Sequence, residues 1–138
     1  MQAITHVESG QRLLINKQAR GQLGGLSAIF LLGMAVNLIG LPSQTTGSAK
    51  TVATVLLVLH ILIGLGLVAG GISTILKARS SMFLKQARIG LVVIVLTFLC
   101  GIMNVNTKSN WWSYAMSVGF MVVFWVYGIL FIKTYTKD

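Results

Sequence analysis

Apolar positions along this chain do not alternate with polar ones. They run together in four stretches, each close to the thickness of a lipid bilayer. The first covers about 21–41 (GQLGGLSAIFLLGMAVNLIGL) and meets Pro42, the only proline. The others cover about 51–76, 89–105 and 112–132. A helix rises 1.5 Å per residue, so about 20 residues cross a ~30 Å hydrocarbon core. The second stretch is longer than needed and predicts tilt or projection, whereas the third is barely long enough. Continuous apolar runs, rather than alternating ~10-residue ones, predict helices and not a barrel. The expected fold is all-α: four transmembrane helices in a compact bundle over residues 21–138. A separate segment, 1–20, precedes it, either as a short interfacial helix around Arg12 to Lys17 or as a disordered tail.

The charges add an orientation. Arg12, Lys17 and Arg20 precede the first stretch; Lys77, Arg79, Lys85 and Arg88 lie between the second and third; Lys133 and Lys137 follow the fourth. Only Lys50 and Lys108 fall on the opposite side. The excess of Lys and Arg in cytoplasmic loops predicts that both termini are cytoplasmic, in a multi-pass protein of the cell membrane. Trp111, Trp112 and Tyr114 suit the outer interface and Tyr135 the inner one.

Composition narrows the class further. Only 9% of residues are charged and mean hydropathy is +0.84, which leaves no room for a separate soluble module. The net charge of +9 suggests nucleic acid until the positions are considered. Basic residues that flank apolar runs anchor and orient helices, so no nucleic-acid partner is expected, only the lipid bilayer. Residues 1–20 lack the apolar core and cleavage pattern expected of a secretory leader, and no lipidation box is present. Cys100 is the single cysteine, which excludes an intramolecular disulfide.

An internal echo is also present. Lys17-Gln18-Ala19-Arg20 recurs as Lys85-Gln86-Ala87-Arg88, and continuing without a gap pairs Leu23 with Leu91, Phe30 with Phe98 and Gly33 with Gly101. This predicts a tandem duplication of a two-helix hairpin, which would give a bundle pseudo-symmetric about the membrane normal. In the ungapped register His60 aligns with Gly128, and the even-numbered helices match poorly.

Polar residues inside spans are costly, so they mark where function resides. Asn37 follows Gly33 by four residues, and Asn104 follows Gly101 by three. Both spacings return to the glycine face of a helix, so the two amides are expected to look into the same interior. His60 sits near mid-membrane in the second span, with Gly64 and Gly71 on its own face; Gly66 and Gly70 form a second small-residue stripe. The plainest role for these polar groups is hydrogen bonding between helices. A second role is lining a solute path, in which His60 can exchange protons near neutrality. A third is ligation: His60 with Met34, Cys100, Met103 or Met116 offers haem b or copper a site, although no second histidine lies in a span. No resident metal or cofactor is the plainer expectation.

Enzyme chemistry has little material. Glu8 and Asp138 are the only carboxylates and both lie outside the spans, so acid–base pairs, metal-hydrolase motifs and phosphate loops are all missing. The leading expectation is a non-enzymatic membrane subunit or helper that acts through helix packing, as a homo-oligomer or in a larger membrane complex. The alternatives are a homodimeric channel or permease lined by Asn37, His60 and Asn104, and a haem- or copper-binding redox subunit using His60.

Overall fold

The computed structural model describes residues 2–107 and 110–135, with side chains over 9–107 and 111–135. Lys108, Lys137 and Asp138 lie outside the described residues, as do the side chains of His6 and Glu8. Four helices follow one another: α1 Gln2–Ile39, α2 Gly47–Ala78, α3 Leu84–Thr107 and α4 Asn110–Thr134. Each is long and apolar enough to span a membrane. Contacts join α1 to α2, α2 to α3, α3 to α4 and α4 back to α1, with none across either diagonal among the described residues. Short connections between contacting neighbours make this an antiparallel four-helix ring. Four apolar helices packed in this way mark an integral, multi-pass membrane protein.

The local breaks have simple causes. The first apolar stretch runs to Pro42, but α1 already ends at Ile39, because Gly40 takes a left-handed φ of 96°. Its N–H bonds to the Val36 carbonyl at 2.8 Å, which closes the last turn. Between α2 and α3, Ser81 Oγ donates to the Ala78 carbonyl and accepts from the Phe83 N–H, pinning a turn that buries Phe83.

The boundary expected at residue 20 is not a break in the helix. α1 runs straight through it, and residues 9–20 are packed on the bundle rather than lying apart from it. The reason is a stripe at helical spacing that continues across the boundary: Ile15, Ala19, Gln22 and Leu26 are all buried. Polar side chains tie this half of α1 to its neighbours. Gln11 Nε2 donates to the Lys77 carbonyl at 2.9 Å, and Gln18 Nε2 to the Gly70 carbonyl at 3.2 Å. Lys77 Nζ returns a bond to Gln18 Oε1 at 2.7 Å, and Asn16 Nδ2 reaches the Phe131 carbonyl of α4 at 2.9 Å. Lipid tails are as apolar as leucine, so such bonds and close packing, rather than the hydrophobic effect, hold helices together in a bilayer.

The bundle is unequal along its length. Towards the end that carries both termini it is solid. Ile15, Ala19, Ala78, Phe83, Ala87, Tyr127 and Leu130 form one buried cluster. Tyr127 fits between α2 and α3: a Cβ on Gly90 would stand 2.9 Å from its Cε2, and one on Gly71 would stand 3.4 Å from its hydroxyl. Large apolar side chains such as Leu38, Leu62, Trp125 and Ile132 face outward, as lipid contact requires. The opposite end, beyond Leu26, Leu67, Ile94 and Val123, is hollow.

Candidate functional site: a blind cavity in the loop-side half of the bundle

The hollow half holds a cavity of about 550 Å³, partly open to the outside and lined from all four helices. Its floor is a ring of four buried apolar residues, one per helix: Leu26, Leu67, Ile94 and Val123. Above the floor stand Phe30, Gly64, Phe98 and Phe120. Phe30 and Phe120 stack with centroids 4.9 Å apart at 21°, which joins α1 to α4. The next layer is Gly33, His60, Gly101 and Met116, and the mouth carries Asn37 and Asn104. From Leu26 to Asn37 the wall rises roughly 16 Å at 1.5 Å per residue.

The three polar residues expected to share an interior thus lie on one cavity wall, brought there from α1, α2 and α3. Helix-to-helix hydrogen bonding, their expected role, is not what the structure shows. Neither Asn37 nor Asn104 bonds to another side chain among the described residues. His60 Nδ1 is buried and makes no hydrogen bond of good geometry, although the Ile29 backbone lies close enough to interact with the ring. The ring packs on α1 at Gly33, where a Cβ would stand 3.3 Å from His60 Cε1. Buried polar atoms are ordinarily hydrogen-bonded, so an imidazole nitrogen without a well-directed bond beside a cavity is free to take one from a bound molecule.

The glycines divide among different tasks. Gly64 does not flank the imidazole but faces Phe98, 3.1 Å from where its Cβ would be, and Gly71 faces Leu91 and Tyr127 well below. Gly70 accommodates the amide of Gln22, while Gly66 meets nothing within 4 Å. Gly101 is the seat of Met116, whose Sδ would lie 3.4 Å from a Cβ there. Of the possible sulfur ligands, Met34 and Met116 line the cavity with His60; Cys100 and Met103 do not. No cluster of three or more His, Cys, Asp or Glu is present among the described residues.

A second, smaller hollow of about 130 Å³ shares Asn37, Leu41 and Asn104 with the first and adds Gln44 and Ser113. The space is therefore graded, polar at the mouth and apolar at the floor. Gln22 was not apparent from sequence, because it sits at the foot of the first apolar stretch and reads as an interface residue. It is buried against α2, donating from Nε2 to the Leu67 carbonyl at 3.1 Å, directly beneath the cavity floor.

Side chains repeat between the two hairpins. In the register that pairs Gly33 with Gly101, Ile15, Ala19, Gln22 and Leu26 match Phe83, Ala87, Gly90 and Ile94, all eight buried. Pairing Leu67 with Val123 matches Thr74 with Leu130 and Ala78 with Thr134, again all buried. In that register His60 corresponds to Met116, not to Gly128. No protein family, curated protein or solved structure matches the chain.

Proposed function

We propose that this is a non-enzymatic membrane protein whose working part is a small-molecule binding cavity, rather than a helper acting through helix packing alone. The observation that carries this reading is the convergence of Asn37, His60 and Asn104, unbonded to other side chains among the described residues, on one cavity of about 550 Å³. That volume lies within the ~300–1,000 Å³ usual for ligand sites, and apolar walls with few polar groups are their usual composition. The cavity is blind: its floor rests on the cluster around Tyr127 and Ile15, so one chain offers a place to hold a molecule, not a path through the membrane. The distribution of Lys and Arg supports an N-in, C-in orientation in the cell membrane, with the cavity mouth on the outer side. Matching burial in the two hairpins supports their origin as a tandem duplication.

Native mass spectrometry of the gently solubilised protein tests the reading. A small molecule should remain bound to the native chain and be lost from Gly101→Phe, which fills the cavity from α3. Retention of the same mass by that variant would place the molecule elsewhere and refute the assignment.

Self-association or docking on a larger membrane complex is the second reading. Gly21, Gly24 and Gly66 favour it: all three are exposed, and a Cβ on any of them would meet nothing within 4 Å, which leaves room for another helix to approach. Crosslinking of the protein in membranes, with Gly66→Leu as control, checks it.

A further inference from the structure

The lining of this cavity also selects what enters it. Resting on the binding role just assigned, we infer that the ligand is an uncharged, hydroxyl-bearing amphiphile, such as a monoacylglycerol or long-chain alcohol. It is held with its polar group at the mouth and its apolar part on the floor.

Three observations converge on that class. The first is charge. Neither hollow is lined by an Asp, Glu, Lys or Arg, so an ionised headgroup drawn between the helices would leave water without a counter-charge. The second is the order of the layers. Leu26, Leu67, Ile94 and Val123 close the bottom, aromatic rings follow, and amides gather only at the top, where Gln44 and Ser113 extend them. Trp111 and Tyr114, exposed at the same end of the bundle, put that top at the depth of a membrane interface. The gradient inside the protein therefore parallels the gradient in the surrounding lipid. A molecule lying like a lipid enters without reversing.

The third observation concerns hydrogen bonding. A carboxamide both donates and accepts, and a neutral imidazole nitrogen does one or the other according to tautomer. A hydroxyl does both, so it satisfies Asn37, Asn104 and, through a second oxygen on a glycerol, His60 Nδ1 in either tautomer. The competing hydroxyls of the wall are already committed. Thr97 Oγ1 donates to the Val93 carbonyl at 2.7 Å and Ser117 Oγ to the Ser113 carbonyl at 3.0 Å. The amides and the imidazole are what remain for a ligand.

Photolabelling of the full-length protein in phosphatidylcholine nanodiscs tests this, using a monoacylglycerol with a diazirine at the end of its acyl chain. Labelling should saturate and map to peptides containing Leu26, Ile94 or Val123. Unlabelled monoacylglycerol should compete at least tenfold better than the fatty acid of equal length at pH 9 or the matching alkyltrimethylammonium. Asn37→Leu and Asn104→Leu should each weaken competition about three- to tenfold, while Leu62→Ala on the lipid face leaves it unchanged. If the charged amphiphiles compete equally, or if the chain end labels Asn37 or Gln44, the ligand class or its orientation is overturned while the binding cavity stands. Labels confined to lipid-facing positions such as Leu38 and Trp125 would remove the cavity assignment itself. A Soret band in the purified protein would assign the space to haem and overturn the inference outright.

Discussion

His60 of α2 rests on Gly33 of α1, with its Cε1 3.3 Å from where a Cβ at position 33 would stand. A helical glycine here is the space into which an imidazole folds. Alanine requires the ring to yield by a few tenths of an ångström, and its better helix propensity, worth about 1 kcal/mol, offsets that cost. A leucine cannot be accommodated without pushing the ring off α1. Gly33→Ala should therefore stay within about 1 kcal/mol of the native stability, and Gly33→Leu should lose about 1–3 kcal/mol. Thermal unfolding in detergent measures both. An unchanged midpoint for Gly33→Leu would mean that the imidazole does not depend on this seat.

The same logic gives a sharper result at the solid end of the bundle. A Cβ on Gly90 would come within 2.9 Å of Tyr127 Cε2 and 3.1 Å of Cζ, and the ring is fully buried with nowhere to turn. Gly90→Ala should cost about 1–3 kcal/mol by overpacking, more than Gly33→Ala. Tyr127→Phe should cost under about 1 kcal/mol, because the buried hydroxyl has no well-directed hydrogen bond to lose. If Tyr127→Phe proved the more damaging of the two, the hydroxyl rather than the ring would be what the site requires.

Much of this was legible beforehand, and the parts that were not have physical reasons. Four spans are visible because a bilayer demands uninterrupted apolar runs, and Asn37 and Asn104, which glycine spacing sets on the glycine face of each helix, both line the cavity. Ile15 and Ala19 were hidden among Arg12, Lys17 and Arg20, whose charges dominate any reading by composition. The 3.6-residue stripe through Gln22 to Leu26 crosses the boundary that charge suggests. The matching burial of α2 and α4 was hidden by a change of register between the hairpins. Residues 40–46 join α1 to α2, whereas α3 ends at Thr107 and α4 starts at Asn110, and the part of α2 before Leu67 is also longer than the part of α4 before Val123, so an ungapped register opposes His60 to Gly128 instead of Met116. The cavity itself is a property of four helices together, and no single span records it.

Gln22 and Gly70 fit closely between α1 and α2, since the Gln22 amide occupies the space where a Cβ on Gly70 would go. Gly70→Ala alone should destabilise by about 1–3 kcal/mol. Gln22→Ala alone loses the bond to the Leu67 carbonyl and should cost about 1 kcal/mol. In the double variant the two losses should not add, because removing the amide makes room for the methyl. A coupling of at least about 0.5 kcal/mol in a double-mutant cycle is expected. Strict additivity would show that the two residues do not share that space in the membrane.

Orientation can be read directly, because each end of the bundle has an exposed position away from the core. Ser48 is exposed in the first turn of α2, at the end that carries the cavity mouth, and Met82 is exposed in the connection between α2 and α3. In a Cys100→Ala background, Ser48→Cys should react with a membrane-impermeant maleimide on intact cells. Met82→Cys should react only after permeabilisation. The basis is the excess of Lys and Arg flanking Met82: Lys77, Arg79, Lys85 and Arg88 surround that connection, whereas the sequence between α1 and the start of α2 has only Lys50 and that between α3 and α4 only Lys108. Positive residues in short loops resist translocation, whereas acidic ones contribute little to the rule. If Met82→Cys were the one labelled on intact cells, the mouth of the cavity would face the cytoplasm, and its ligand would be drawn from the inner leaflet.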